Sequence, residues 1–533
     1  MKRICALFLG LTVAAASLSG CGAQGQETTQ QTFPDATAIV LSDDGVTVDG
    51  EAASTDETAA VYTAHDIVYY EDGHDFTYGE GTAADAHTAE EAEAHTVVHI
   101  TQPGTYALSG TLSAGQIAVD LGEDAEEDPE AVVTLILNGV DITCTVAPAV
   151  IFYSVYECGS DDEDTATVAV DTSAAGANVL IADGTINHVT GSYVARIYDP
   201  DSVVLSEDGT EVTDSDKLHK YDGAFYSRMS MNVDGGEAGT GVLNITADNE
   251  GLDTELHLTI NGGTINITSG NDGINTNEDN VSVTTINGGS VNIQVTGETG
   301  EGDGIDSNGY LVVNGGTVLT TANPQAGEGG IDSDSGICLN GGTVIALGNR
   351  NDSAAADSAQ ALIELTFRAT VPEGSEVELR DSGGTAVVSF TAPRDFSSAT
   401  LSVPELAWDS TYTLWVDGVQ QQYTGTGTMD APGGGGGGQP PEGMEPPGDG
   451  PADGGGTPPA EEPPAGETPP EPTGTPSQGE GMEPPEGGQP PENMEPGGRP
   501  GDGGAADEPG ETAFVITADS HAFQGVGDLV SGE

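Results

Sequence analysis

The strongest pattern along the chain is an alternation of apolar and polar positions that recurs with a fixed period between residues 234 and 349. Copies of Asn-Gly-Gly begin, at intervals of 26, 27 and 26 residues, at Asn261, Asn287, Asn314 and Asn340. Each triplet is followed by a short alternating segment, such as Thr264 to Ile267. A period of this length indicates stacked structural units. Alternation at every second position predicts strands, and no helical spacing is present, which excludes a solenoid of helix pairs.

Each repeat is therefore expected to form one turn of a parallel β-helix. Neighbouring turns would stack at about 4.8 Å, so equivalent residues of successive repeats would form columns along the axis. The alternating Ile and Val side chains would fill the interior. Asn at each corner tolerates left-handed backbone, and glycine allows a tight turn. The predicted fold class is all-β, with a parallel β-helix, a small C-terminal β cap and a disordered Pro/Gly-rich tail.

Composition and pattern divide the rest of the chain. An apolar run after Lys2 and Arg3 is typical of a signal peptide. A long stretch of Gly, Pro and Glu cannot bury a core, and the lone strand behind it must dock on the folded part. The predicted segments are a signal peptide (1–20), a flexible tether (21–60), an acidic, His-rich segment (61–95), the parallel β-helix (96–350), a β-rich cap (355–424), a disordered linker (425–511) and a terminal strand (512–533).

The end of the signal peptide resembles a bacterial lipobox, because Leu18-Ser19-Gly20 precedes Cys21. This resemblance implies that Cys21 is the acylated first residue of the mature chain. The protein would then lie on the extracellular face of the bacterial cell membrane, at the cell surface, and contact the membrane only through its lipid anchor. The alternative is an ordinary signal peptide with an incidental cysteine. No later segment approaches the 18 or more apolar residues of a spanning helix.

The charge of the chain limits its partners. Asp and Glu number 88 against 11 Lys and Arg, giving a formal net charge of −77. Such a field repels nucleic acid and anionic membranes. It would also repel an acidic polysaccharide unless cations intervene. The alternative is that the acidity only keeps a surface protein soluble. We expect a monomer. Cys144 and Cys158 could form a disulfide in an oxidising compartment, and two separate thiols are the alternative.

The candidate chemistry lies in a second repeated motif, which falls between the triplets. Stacking would place Asp, Glu and Asn of successive repeats in columns, and two carboxylates about 4.8 Å apart repel by roughly 3.5 kcal/mol at an effective dielectric constant of 20. Calcium relieves such repulsion, since it takes six to eight oxygen ligands in flexible geometry. The predicted calcium ligands are Glu250, Asp253, Asp272, Asn275, Asp303, Asp306, Asp332 and Asp334. The alternative is that Asp-Gly and Asn-Gly only suit turns.

Histidines of the 61–95 segment and its border could bind a transition metal. Their spacing matches no established ligand pattern, so a solvated loop is the preferred interpretation.

Residues 104–120, residues 135–144 and the repeats together resemble a bacterial family of calcium-containing, right-handed parallel β-helix carbohydrate-binding lipoproteins with a pectate-lyase-like fold. The resemblance covers about residues 96–420 and the terminal strand. It implies that 96–350 is a carbohydrate-binding domain, that calcium is the cofactor, and that the partner is a cell-wall polysaccharide such as polygalacturonate or cellulose.

Enzymatic activity is the less favoured expectation. A lyase of the pectate type needs a strong base near the bound uronate, and residues 229–349 contain no Lys or Arg. The nearest basic residues are Lys217, Lys220 and Arg228, with His219 among them. No catalytic residue is assigned. The expected function is polysaccharide binding through calcium; a calcium-dependent polysaccharide lyase is the first alternative, and a structural spacer or adhesin is the second.

Overall fold

The structure, a computed structural model, describes residues 31–159, 161–354, 358–423, 514–516 and 522–529. The predicted signal peptide, Cys21 and the Gly/Pro-rich linker lie outside these ranges. Regular structure in the described parts is nearly all strand, as the all-β prediction requires. The exceptions are one helix, α1 (Ala89–Glu93), and two short 3-10 turns at Ala125–Glu127 and Glu163–Thr165. Among the described residues, no helix has the length and apolar character needed to cross a bilayer.

The described residues from 31 to 227 contain sixteen strands. They are β1 (Thr37–Leu41), β2 (Thr47–Val48), β3 (Glu51–Ala52), β4 (Val61–Ala64), β5 (Thr96–Ile100), β6 (Gly104–Leu112), β7 (Gly115–Asp120), β8 (Val133–Thr143), β9 (Val150–Ser154), β10 (Ala177–Ile181), β11 (Ile186–Gly191), β12 (Val194–Tyr198), β13 (Val204–Leu205), β14 (Val212–Asp214), β15 (Lys217–Tyr221) and β16 (Gly223–Ser227). Strand β1 pairs in parallel with β6, so part of the predicted tether 21–60 is ordered strand. Its alternating Ile39 and Leu41 are buried in the main core.

The repeats contribute the next thirteen strands. They are β17 (Met231–Asp234), β18 (Val242–Ala247), β19 (Glu250–Thr254), β20 (Leu258–Ile260), β21 (Thr264–Ser269), β22 (Ile274–Thr276), β23 (Val283–Ile286), β24 (Ser290–Val295), β25 (Ile305–Ser307), β26 (Tyr310–Val313), β27 (Thr317–Thr321), β28 (Gly336–Leu339) and β29 (Thr343–Gly348).

Together with β16, these strands form three ladders of parallel strands. The first ladder is β17–β20–β23–β26–β28, the second is β18–β21–β24–β27–β29, and the third is β16–β19–β22–β25. Equivalent repeat positions pair directly: Ile265 lies opposite Val291, and Val291 opposite Val318. All three side chains are fully buried, and burying each stabilises the fold by about 1.5–3 kcal/mol. The sequence period therefore corresponds to one step along each ladder.

The corners between the first two ladders depend on the second glycine of each triplet. Gly263, Gly289, Gly316 and Gly342 have φ between 81° and 86°, a conformation that side chains disfavour. The Asn residues of the triplets tolerate this conformation but do not adopt it, since none of them has a positive φ. The Asn side chains instead bond to one another, as described below.

Nine strands in the described residues 358–423, 514–516 and 522–529 extend and cover the stack. They are β30 (Leu362–Val371), β31 (Glu376–Asp381), β32 (Ala386–Thr391), β33 (Phe396–Ser402), β34 (Ser410–Val416), β35 (Val419–Gln420), β36 (Gln422–Tyr423), β37 (Phe514–Ile516) and β38 (Ala522–Asp528). Strand β33 pairs antiparallel with β29 and ends the second ladder. Strand β38 lies parallel to β30, and β37 pairs with β34. The end of the chain thus returns to the folded part.

Cys144 and Cys158 are separate thiols in this structure, not the disulfide that their spacing allowed. The two cysteines follow strands of different sheets. Cys144 follows β8, which belongs to the sheet of the first two ladders, whereas Cys158 follows β9, which belongs to the sheet of the third ladder. Burial raises the pKa of both thiols to about 11.

Candidate functional site: stacked acidic residues

One column of predicted ligands lies along the third ladder. Asp253 is opposite Asn275, and Asn275 is opposite Asp306. The backbone N–H of Asp332 donates to Ile305 O at 2.8 Å and so continues the column by one step. Because the intervening positions, such as Leu252, point into the core, these polar residues face away from it. The structure thus brings four of the predicted side chains into one row.

A second column lies three residues earlier on each turn. Gly251 N–H donates to Asp272 O, and Gly273 N–H donates to Asp303 O, both at 3.0 Å. This pairing places Glu250, Asp272 and Asp303 on successive steps. The backbone N–H of Asp303 also donates to Asp272 Oδ1 at 2.6 Å. Two columns of oxygen-bearing side chains therefore run side by side along the stack.

The remaining predicted ligand, Asp334, lies in a neighbouring row. Its N–H donates to Ser307 O at 3.1 Å, and its side chain is exposed.

Burial makes these acids hard to ionise. Glu250 is 4% exposed and Asp253 is 0% exposed. Burial raises the pKa of Glu250 well above its usual range, and the charges of Asp253 and Asp222 raise it further. Burial and the Asp222 charge do the same for the pKa of Asp253. Burying a charge without a partner is costly, so this part of the stack requires either bound protons or a cation.

The pKa shifts at the far end of the stack are smaller than those of Glu250 and Asp253. Burial, then the Asp272 charge, raises the pKa of Asp303 to about 9. For Asp306 the pKa is raised to about 6, by burial and then by Asp334. For Asp332 it is raised to about 7, by burial and then by Asp352. The carboxylates at this end are the more readily ionised ones.

The unused oxygen atoms of the first steps fit a hard cation. No described residue donates a hydrogen bond to Glu250 Oε2 or Asp253 Oδ2, and Asn275 Oδ1 is likewise buried without a donor. Asn275 Nδ2 donates to Glu250 Oε1 at 3.2 Å, which holds the two side chains together. Carboxylate and amide oxygens are the ligands that calcium prefers. The donor set is therefore of the right chemical kind.

Side chains alone do not complete an ion site here. Over the described ranges, no group of three or more His, Cys, Asp or Glu stands close enough to hold a metal. An ion in the columns would thus draw part of its coordination from amide, backbone or water oxygens. The histidines of the N-terminal segment are engaged separately, with His99 bonded to Asp66 at 2.8 Å and His74 to Glu71 at 3.0 Å.

A hairpin that the sequence did not predict covers the start of the columns. Strand β15 pairs antiparallel with β12 and carries Lys220, whose Nζ lies 2.7 Å from Asp222 Oδ2. Partial burial opposes ionisation of Lys220. The charge and hydrogen bond of Asp222, together with the charges of Glu250 and Asp253, outweigh it and raise the pKa of this lysine. Lys220 also lowers the pKa of Glu250 and Asp253. One half-exposed cation therefore offsets part of the acidic charge.

The other basic residues of this region are also ion-paired. Lys217 Nζ lies 3.0 Å from Glu255 Oε1, which also accepts a hydrogen bond from Tyr226 Oη at 2.6 Å. Arg228 pairs with Glu126 at 3.3 Å. They line a cavity of about 720 Å³ together with His219 and several tyrosines. The cluster that the sequence singled out as a possible lyase centre is thus brought together, with its cations held by carboxylates.

Comparison with known families classifies the chain. The family model described as carbohydrate-binding domain-containing protein matches residues 94–375, just over half of the chain. The chain belongs to this family. The matched range contains every predicted calcium ligand of this carbohydrate-binding domain-containing protein.

One relative is a carbohydrate-binding domain-containing protein of Acetivibrio thermocellus. It is 28% identical over 167 residues, which are 31% of this chain and 43% of the relative. The alignment thus spans less than half the length of that relative. Among solved structures, the gadolinium derivative of a polysaccharide lyase-like protein from C. thermocellum matches 58% of this chain and 92% of its own, at 21% identity and a TM-score of 0.30.

Proposed function

We propose that this carbohydrate-binding domain-containing protein binds cell-wall polysaccharide, and that calcium held by the stacked acids supports that binding. The observation that carries the proposal is the pair of acidic columns, with buried carboxylate oxygens that no described donor satisfies. A divalent cation would offset their repulsion. The family to which the chain belongs supports the carbohydrate part of the proposal.

The proposal includes an architecture and a location. The three ladders would be the three faces of a right-handed parallel β-helix, because each repeat except the last supplies one parallel strand to each ladder. An acylated Cys21 would hold the protein, as a monomer, on the extracellular face of the cell membrane.

The two ends of the columns would serve different roles. At the buried end, calcium bound by Glu250, Asp253 and Asn275 would stabilise the stack. At the other end Asp334 is exposed and Asp332 is half-buried. An ion held there has room for an outside ligand, so it could bridge protein carboxylates to the carboxylate of a polygalacturonate-like chain.

Calcium binding is tested by thermal unfolding of wild type, Glu250→Gln and the exposed control Asp248→Asn, with calcium and with chelator. We expect calcium to raise the melting temperature of wild type and of the control. Glu250→Gln keeps an oxygen for Asn275 and removes a buried charge, so it should unfold at a higher temperature than wild type in chelator and gain less from calcium. A wild-type melting temperature unaffected by chelator contradicts the calcium proposal.

Carbohydrate binding is tested with immobilised polygalacturonate. Calcium-dependent retention without change to the polysaccharide supports the binding function. Release of unsaturated product absorbing in the ultraviolet would favour a lyase. Neither result would favour a spacer or adhesin. The pairing of Lys217, Lys220 and Arg228 with carboxylates supports binding over lyase chemistry. The carboxylates around Lys220 raise its pKa, which favours the protonated form, and a protonated lysine is not a base.

A further inference from the structure

Apart from Asp234 on its first step, the first ladder presents a strip of uncharged side chains on its outer face. Side chains two residues apart on a strand point to the same side of the sheet, so each step contributes two neighbouring positions. One column contains Asn232, Thr259, Thr285, Val312 and Cys338, which pair in register. The other contains Asn261, Asn287, Asn314 and Asn340, each bonded through its backbone N–H to the preceding step. We call these two columns the asparagine strip.

The asparagines of the strip form a ladder of side-chain amides. Asn287 Nδ2 donates to Asn261 Oδ1, Asn314 Nδ2 to Asn287 Oδ1, and Asn340 Nδ2 to Asn314 Oδ1, each at 3.0 Å. A primary amide has two N–H donors and two acceptor lone pairs. An inner step of the ladder uses one of each, and these side chains are exposed. Each inner step therefore offers one donor and one acceptor outward, repeated about every 4.8 Å.

A groove of about 740 Å³ runs along the strip, and the segment 168–173 forms its wall. Thr172 fixes this wall to the strip. Its hydroxyl donates to Asn232 Oδ1 at 2.7 Å, and its carbonyl accepts from Asn232 Nδ2 at 2.7 Å. Val168, on the wall, is 39% exposed. The groove therefore combines a floor of paired donors and acceptors with an apolar edge, which matches the hydroxyl groups and C–H faces of sugar rings.

The acidic surroundings of the groove favour an uncharged polysaccharide over an anionic one. The strands of the strip carry no Lys or Arg, because residues 229–349 contain none. Asp171 and Asp234 line the groove, and the net charge of the chain is −77. An anionic ligand would meet repulsion here with no cation to offset it. The acidic columns lie on the third ladder, in a different sheet, so calcium bound there does not supply that cation.

We propose that the asparagine strip binds an uncharged polysaccharide chain, which lies along the ladder and needs no calcium. The proposal rests on the carbohydrate-binding function proposed above and adds a second surface to it. The hydroxyls of successive sugars would bond to the outward donor and acceptor of successive steps. The chain would thus hold two kinds of polysaccharide on two faces, one acidic and calcium-dependent, the other uncharged and calcium-independent.

The test compares two double variants by isothermal titration calorimetry. Asn287→Ala with Asn314→Ala removes the middle of the strip. Asn266→Ala with Asn292→Ala is the matched control. Asn292 Nδ2 donates to Asn266 Oδ1 at 3.0 Å, so these side chains are bonded in the same way. They lie on strands β21 and β24, outside the groove. The probes are linear β-glucan and mannan oligosaccharides, and polygalacturonate. Each is titrated in calcium and in chelator, and melting temperatures verify that both variants fold.

We expect wild type to bind at least one uncharged probe in chelator. The strip variant should bind it about tenfold more weakly, equivalent to about 1.4 kcal/mol, while the control binds as wild type does. The proposal is overturned if the strip variant retains wild-type affinity, or if wild type binds only polygalacturonate. Calcium-dependent binding of polygalacturonate by the strip variant would show that the function proposed above does not depend on the asparagine strip. A wild type that binds no probe overturns both.

Discussion

At the scale of single residues, the acids of the two columns are placed where ionisation is costly. Glu250, Asp253 and Asp272 all have a pKa that burial raises well above its usual range. In a protein with so many exposed acids, this small group stands out because it is buried. Its ionisation state couples stability to both pH and divalent cations.

The pH dependence of metal-free stability follows from these shifts. An acid whose pKa is higher in the folded state than in the unfolded chain holds its proton longer when folded. Its contribution is complete below the unfolded pKa, near 4, and is lost as pH rises through the folded pKa, about 9 for Asp303 and about 7 for Asp332. In chelator, the free energy of unfolding should fall between about pH 4 and 9, by up to about 1.4 kcal/mol per pH unit for each such group.

Urea unfolding at a series of pH values, with and without calcium, measures this effect. Calcium binds the ionised carboxylates, so it should offset the loss increasingly as pH rises. A metal-free stability that is constant or rises across this range would contradict the burial of these acids.

The sequence predicted which residues align in the columns, but not which side chains surround them. The spacing of the Asp-Gly-Ile motif was sufficient to align Asp253, Asn275 and Asp306. It could not show that Lys220 lies over the first steps, because the β12–β15 hairpin falls outside the repeat and its docking depends on tertiary contacts. The regular spacing of Asn261, Asn287, Asn314 and Asn340 was visible in the sequence, where it indicated turns. The hydrogen bonds between their side chains could not be predicted from it, because they depend on the register in which the strands pair.

At the scale of elements, the repeat is held in place by its glycine corners. The second glycine of each triplet combines a positive φ with close approach to the neighbouring turn. A Cβ built on Gly316 would lie 2.8 Å from Gly288 C and Gly289 O, and φ there is +81°. The positive φ and the close approach both belong to the Asn-Gly-Gly triplet, which occurs four times in the chain.

Gly316→Ala should therefore destabilise the protein by about 2 kcal/mol or more, since left-handed backbone alone costs a side chain about 1–2 kcal/mol. Gly327→Ala is the matched control, because a Cβ there meets no atom within 4 Å and Gly327 is exposed to solvent. Chemical denaturation of both variants measures the difference. Equal stability of the two would show that the corner can relax around a methyl group.

At the scale of the whole molecule, the ladders end on strands that do not continue them. Strand β4 closes one end of the third ladder's sheet by antiparallel pairing with β5, and β33 closes the second ladder. Strand β38 then covers β30 over residues 362–367. An uncovered edge offers unpaired backbone groups to other chains, so these strands protect the stack.

Truncation after residue 511 should expose the edge of β30. We expect a loss of about 2 kcal/mol or more, from several backbone hydrogen bonds at about 0.5–1.5 kcal/mol each. Self-association that rises with concentration should accompany it. Thermal unfolding and analytical ultracentrifugation measure the two effects. A peptide of residues 512–533 added in trans should reverse both, and a truncated protein that stays monomeric at the wild-type melting temperature would contradict the capping role.

The one-to-one match between repeat and step has a consequence for how such a chain can change during evolution. Duplicating or deleting one unit of about 27 residues changes the stack by a single step and leaves the pairing of every other unit intact. The reach of both outer faces is then adjustable in increments of about 4.8 Å. Recombination between similar repeats would produce variants that differ in the number of stacked units but carry the same side chains on each unit.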